Sequence, residues 1–358
     1  MKEYIYFYLA ESFLLILGSY TKKNTFFWIA VLLSVLFAGF RHNVGYDYLN
    51  YKAFYMYPES TNSFNLEPLF RLSIYACRMI TKDYHFFFFL YSLATCIFVA
   101  AGIKKISSHI EYSYLIYLFI PSLYLTSFSI VRFALAASIT FYGLTIYLKN
   151  EGNSKTVPLL FIILAFGFHY SAILLITILF ADSLLRIRYS DSFHSVFIIF
   201  SFLLYYTGII NPILSIALPF KYSVYENNMG NSLDIKIISL FLFYCIVLIE
   251  SKYIEKTFEN NFMINIFLLS SLLTISLFNF PHVARFGYYL TIFQSILVPK
   301  FFFSERKRSK GRVYWKYLFL SGMIMYYIFM PSYILHRDLN QDIGIKFTPY
   351  KNYLFSSY

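Results

Sequence analysis

The feature that most constrains this chain is a succession of long apolar runs with very little between them. They fall at 4–20, 25–40, 86–103, 113–130, 132–148, 156–168, 170–184, 193–210, 236–250, 262–280, 288–303 and 313–335. A helix crosses the hydrocarbon core with about 20 apolar residues, within a range of roughly 17–25. Lipid offers no partner to a backbone N–H or C=O, so such runs satisfy themselves as helices. The expected fold is therefore all-α, a polytopic membrane protein with about 11–12 transmembrane helices. They form a single transmembrane domain over 1–358 with no soluble domain and no visible internal repeat. The first run has no basic start, carries Glu11 and lacks a small-x-small cleavage site before Lys22 and Lys23, so it reads as a retained span.

Composition narrows the function. With 59% hydrophobic and 13% charged residues, the chain falls outside the soluble globular class. A formal charge of +12 fits basic cytoplasmic loops and an anionic substrate. The basic residues punctuate apolar helices instead of forming one patch, which argues against nucleic acid. Cys77, Cys96 and Cys245 lie in apolar segments without metal-ligand spacing, and neither HExxH nor CxxC occurs. His42, His85, His194, His282 and His336 show no pairing that suggests a metal site, so no metal and no cofactor are expected.

Orientation follows from charge. The densest basic stretch, 304–312, belongs in the cytoplasm. Counting back puts 41–85, 211–235 and 336–358 on the external side, provided two segments are unusual. The block 156–184 lies between Lys155 and Arg186, both cytoplasmic by charge, so it must be a helical hairpin turning near His169. An arm of about 13 residues rises only ~20 Å, which leaves that turn below the outer surface in a protein-lined cavity. Residues 67–80 carry Arg71 and Arg78 and place Pro68 in a first helical turn; they read as an interfacial or re-entrant helix.

On this map Arg41, Asp47, Glu67, Arg132, His169 and Arg285 all face outward. Arg132 and Arg285 sit at the mouths of outer helices with almost no loop, where a guanidinium needs a cavity or a partner. Their planar forks suit the oxygens of a diphosphate, aided by helix N-terminal amides. Arg41, six positions before Asp47 at another helix mouth, joins them as a diphosphate ligand. His169 can take a proton from an attacking hydroxyl. Asp47 and Glu67 are the rival bases, with pairing to Arg41 or Arg71 as the alternative for each. Loop 211–235, rich in Tyr and Asn, offers groups for sugar hydroxyls.

These residues fall in an ordered series: Arg41-x-x-Val44-Gly45-x-Asp47-Tyr48-x-x-Tyr51, Glu67-Pro68-x-Phe70, Arg132-x-x-x-Ala136 and Phe168-His169-x-Ser171-Ala172, with Arg285 and Pro349-Tyr350 late in the chain. The series resembles the EpsG-like branch of Wzy-type polysaccharide polymerases and covers nearly the whole chain. Tyr46 departs from it, standing where the family commonly has a small hydroxyl residue. Arg132 and Gly143 also fit an Arg-x10-Gly spacing known in O-antigen polymerases.

The resemblance implies a GT-C-like glycosyltransferase that uses no metal. It would move a growing glycan from undecaprenyl diphosphate to a sugar hydroxyl of a new lipid-linked repeat unit. Arginines would stabilise charge on the departing diphosphate. The implied setting is the bacterial inner membrane with a periplasmic active site. The implied partners are undecaprenyl-diphosphate-linked oligosaccharides, membrane lipid and a chain-length-determining membrane protein. An O-antigen ligase shares the donor but not the acceptor. A lipid-linked oligosaccharide flippase would instead distribute its cations along the path and show internal repeats.

Overall fold

The computed structural model describes residues 2–60, 66–120, 122–210, 244–245, 247–248, 250–277, 281–303, 347 and 349–354, with the backbone alone for 281–285. The regular elements among the described residues are all helices, with one isolated β-bridge between Arg41 and Asn352. The fold is that of an all-α polytopic membrane protein. Three of the described helices are long and apolar enough to cross a membrane: Tyr84–Ile106, Val131–Lys149 and Phe258–Ser276. The chain divides into two compact units, 1–176 with the stretch from 321 onward, and 177–320.

The first unit begins with α1 (Lys2–Thr21) and α2 (Asn24–Gly39), which occupy the first two apolar runs. They are tied by Ser34, whose hydroxyl donates to the fully buried Glu11 carboxylate at 2.7 Å. After α3 (Tyr48–Met56), α4 (Pro68–Ile80) starts where a fixed proline φ favours a first helical turn. Its Phe70, Ile74 and Cys77 turn inward, while Leu72, Met79 and Ile80 are exposed. That spacing is the amphipathic stripe of a surface helix. Helix α5 (Tyr84–Ile106) is capped by Asp83, which accepts the His85 amide at 2.9 Å.

The expected span 113–130 is not one helix. Helix α6 (Ile110–Phe119) stops at Ile120, which is extended at φ −74°, ψ 109° ahead of Pro121. A residue before proline is driven out of the α region by contact with the ring. The chain then makes a 3-10 turn over Leu125–Phe128 and enters α7 (Val131–Lys149). This break aims the first turn of α7, with Arg132, at the loop after α2. Further along α7, a Cβ on Gly143 would lie 2.5 Å from that of Phe161. The glycine of the Arg-x10-Gly spacing is thus a packing position that lets α8 (Thr156–Phe166) approach closely.

The hairpin expected near His169 is present as a turn at 167–169. It is followed by a 3-10 stretch, Tyr170–Leu175, and two short helices, α9 (Ile176–Phe180) and α10 (Asp182–Leu185), so the run 170–184 is broken. In the second unit α11 (Asp191–Thr207) ends at Gly208 in the left-handed conformation. Asn261 and Asn265 of α12 (Phe258–Ser276) donate to the carbonyls of Arg186, Leu185 and Ile187 at 2.8–3.0 Å. The run 288–303 is divided between α13 (Pro281–Thr291) and α14 (Gln294–Phe303). The described positions of 244–250 are helical. Loop 211–235, the basic stretch 304–312, the run 313–335 and most of the tail lie outside the described residues.

Arg41 organises the first unit. It is 1% exposed, with Nε donating to Val44 O at 3.3 Å, Nη2 to Phe128 O at 3.2 Å and Nη1 to Ala38 O. Its guanidinium also lies 4.7 and 5.0 Å from the Phe88 and Phe128 ring centroids. The loop turns at Gly45, whose φ of +107° and approach to Phe128 O leave no space for a Cβ, which would lie 2.3 Å from that oxygen. Tyr46 N donates to Ser129 Oγ at 3.1 Å, completing the clasp. The tail closes over the same loop: His42 N donates to Lys351 O at 2.9 Å, and Tyr353 N to Phe40 O at 2.7 Å. Tyr350 stacks on Phe37 at 4.2 Å and donates to its carbonyl at 2.7 Å.

Gly45→Ala is expected to destabilise the protein by about 1–3 kcal/mol through a strained backbone and a steric clash. Thermal melting of the detergent-solubilised protein should show a lower midpoint; a midpoint equal to the parent's would contradict this placement of the loop.

Candidate functional site

Three segments converge at the N-terminus of α4. The first-turn amides of a helix have no intrahelical acceptor. Here Leu69 N and Phe70 N both donate to Gly167 O, at 2.9 and 3.2 Å. Glu67, extended just ahead of the helix, reaches back: its Oε1 accepts Tyr170 N at 3.4 Å and its Oε2 pairs with Arg132 Nη1. The turn carrying His169 is therefore latched to α4 in both directions, and the same carboxylate holds Arg132. A Cβ on Gly167 would meet the Leu69 side chain at 2.4 Å, so the close approach needs a glycine.

Arg132 is partly enclosed. Its side chain is 22% exposed and that of Glu67 is 6% exposed, so this is an ion pair largely withdrawn from water. The guanidinium carbon lies 5.0 Å from the Phe70 ring centroid and 5.9 Å from that of Tyr51. Its Nε is buried and meets no acceptor among the described residues. A buried N–H without an acceptor costs free energy, and a ligand oxygen would relieve it.

His169 is half-buried and extended at φ −155°. Its Nδ1 lies 2.7 Å from Ser171 Oγ, and its ring meets Phe133, the neighbour of Arg132, edge-on at 5.5 Å and 89°. Ser171 thereby sets the orientation of the imidazole. Asp47, at the start of α3, is half-buried and lies 3.5 Å from Asn50 Nδ2. One turn further, Tyr51 is buried between two charges. Burial raises its phenol above the ordinary value, the Arg132 guanidinium opposes the rise and the Asp47 carboxylate adds to it.

The structure thus brings together Glu67, Arg132 and His169, with Asp47 and Tyr51 beside them. Arg41 is placed differently from its expected role as an open ligand. Its fork faces inward onto main-chain carbonyls and braces Phe128, four residues before Arg132. The cause is desolvation: a guanidinium this deep must take up the nearest acceptors. Arg285 lies on α13 in the second unit, and its side chain is outside the described residues. No cluster of three or more His, Cys, Asp or Glu able to hold a metal occurs among the described residues.

A sequence model of the EpsG family matches residues 24–352, nearly the whole chain. The chain belongs to the EpsG family. EpsG-like proteins are Wzy-type polymerase-like, and membership points to glycosyltransferase-like activity in a membrane protein. No curated protein and no solved structure matches the chain. The match takes in the Arg41 loop, the Glu67–Arg132 pair and the His169 turn, so these features belong to the EpsG portion of the chain.

Two contributors were not given roles from sequence. Tyr51 is one helical turn beyond Asp47 on the same face, a spacing that signals shared use. Ser171 stands two residues from His169, within reach of a ring nitrogen across a tight turn.

Removing one member of a largely buried ion pair typically costs about 3–5 kcal/mol, because the other charge is stranded. Glu67→Gln and Arg132→Gln are each expected to lower the melting midpoint, and the double variant to recover part of the loss. Strictly additive losses would show that the two side chains are not coupled.

Proposed function

We propose that this EpsG protein is a polysaccharide polymerase of the GT-C type, with O-antigen as its product. It transfers a growing glycan from undecaprenyl diphosphate to a hydroxyl of the next lipid-linked repeat unit. The reaction takes place on the periplasmic side of the inner membrane. The observation that carries this reading is the Arg132 guanidinium: one nitrogen is pinned by Glu67 while the buried Nε meets no acceptor among the described residues, and the His169 turn is latched alongside.

In this mechanism Arg132 Nε–H donates to an oxygen of the donor diphosphate. Glu67 is a positioning residue, since both its oxygens are engaged and it holds the fork in one orientation. As the bond from the anomeric carbon to the diphosphate oxygen breaks, the leaving group gains charge that Arg132 stabilises. The acceptor hydroxyl forms the new glycosidic bond and gives its proton to His169 Nε2. That assignment requires Nδ1–H to donate to Ser171 Oγ, the tautomer that leaves Nε2 as the acceptor. Asp47 orients the acceptor sugar, and Arg285 is the diphosphate ligand proposed for the second unit. A chain-length-determining membrane protein is the proposed protein partner. The ligase reading shares every step except the acceptor.

His169→Ala and Arg132→Gln are each expected to reduce polymerisation by about 100-fold or more, the range for loss of an acid–base group or a charge-stabilising donor. Gels of surface glycan should show single-repeat products at normal protein level; full-length ladders would remove both residues from the mechanism. Purified protein given two lipid-linked repeat units should lengthen them. Transfer to a lipid A core without lengthening would identify a ligase.

A further inference from the structure

A second cluster of titratable groups lies on the Arg41 loop, outside the chemistry just described. Asp83 Oδ1 accepts the His85 amide at 2.9 Å and meets His85 Nδ1 at 2.7 Å. His85 Nε2 lies 2.9 Å from His42 Nδ1, with the two rings stacked at 5.2 Å. Lys52 Nζ is 4.8 Å from the Tyr84 ring centroid, and that ring packs on His85 at 4.1 Å. From the tail, Lys351 O accepts His42 N, and Tyr353 stacks on His85 at 3.8 Å. The groups facing the imidazole pair are thus Asp83, Lys52 and Lys351, with the phenols of Tyr48, Tyr84 and Tyr353.

Chemistry orders the protons in this chain. Burial works against ionisation of Asp83, but hydrogen bonds from the His85 amide and ring outweigh it, and the carboxyl sits below its ordinary range. An ionised carboxylate only accepts, so His85 carries its proton on Nδ1 and accepts at Nε2. His42 Nδ1 must then be the donor. A further proton on His42 makes an imidazolium that still donates along the chain to Asp83. Without a ligand, burial lowers the affinity of His42 for that proton, and the nearby His85, Lys52 and Lys351 lower it further. An anion set among these basic groups would raise that affinity.

We propose that His42, Lys52 and Lys351 form a second anion site, for the phosphate group of a lipid, whose occupation is coupled to protonation of the Asp83–His85–His42 chain. The inference deepens the polymerase reading and rests on it for the lipid's identity. Joining two lipid-linked glycans requires two diphosphates to be held at once, and Arg41 is closed off by carbonyls. The Asp83 carboxylate works against an anion here, and the Lys52 and Lys351 ammoniums together with a protonated His42 outnumber its single charge.

The test uses the full chain, titrated with a short-chain prenyl diphosphate by calorimetry in buffers of different ionisation heat, at about pH 6.5, the ordinary imidazole value, and at about pH 8, well above it. Binding should take up protons and weaken at the higher pH. Lys52→Gln with Lys351→Gln, both outside the core, should weaken it about tenfold and reduce the proton uptake. The Glu67→Gln, Arg132→Gln double variant should keep the proton-linked binding even if it cannot polymerise, which separates this site from the catalytic reading. Unchanged affinity and uptake in the lysine variant, or their loss in the Glu67/Arg132 variant, would overturn the proposal. Repeating the titration in nanodiscs identifies the source. Competition by phosphatidylglycerol supports a bilayer headgroup at this site, and undiminished binding supports the lipid diphosphate; absence of proton-linked binding in every lipid overturns both.

Discussion

A guanidinium withdrawn from water must be met by oxygen or by an aromatic face, and two arginines of this unit meet that demand in opposite ways. Arg41 does so with three main-chain carbonyls and two phenyl rings, all supplied by the fold. Nothing in that arrangement calls for a ligand. Arg132 has one carboxylate for one nitrogen and two rings beside it, and its Nε stays without an acceptor among the described residues. The first arginine builds the unit; the second is left open to chemistry.

The two are mechanically linked. Arg41 holds Phe128 O, Gly45 packs on that same carbonyl, and Tyr46 takes Ser129 Oγ. These contacts fix the short turn that launches α7 and so set where Arg132 emerges. On the other side the Gly167 carbonyl and Glu67 exchange hydrogen bonds between α4 and the His169 turn. The imidazole proposed as base and the guanidinium proposed as anion ligand are thereby held by Gly167 and Glu67 before any substrate arrives. Such preorganisation lowers the entropy lost in reaching a reactive geometry. The tail adds a strap over the Arg41 loop through Tyr350, Lys351 and Tyr353.

Much of this is legible in the sequence where the signal is local. Apolar length gave the helical membrane fold, Pro68 marked the start of α4, and the clash between Lys155 and Arg186 demanded a turn near His169. Where one residue overrides a long apolar pattern, hydropathy misleads: Pro121 follows an extended Ile120 and divides a run that reads as one span. The inward role of Arg41 was not legible, because its acceptors are carbonyls, and every residue has one. The Glu67–Arg132 pair was hidden for a related reason. Its members are 65 positions apart, and charge alone offers Arg41 and Arg71 as equally good partners for Glu67. Neither did sequence spacing reveal the His42–His85 pair, which is joined across 43 residues by the closure of the loop on α5.

A high-resolution structure of the protein with an undecaprenyl-diphosphate-linked glycan bound would decide whether Arg132 holds the diphosphate. A phosphate oxygen is expected within hydrogen-bonding distance of Arg132 Nε, with Glu67 still holding Nη1 and the imidazole of His169 turned toward the anomeric carbon. A diphosphate bound away from Arg132, with Nε still lacking an acceptor, would contradict it.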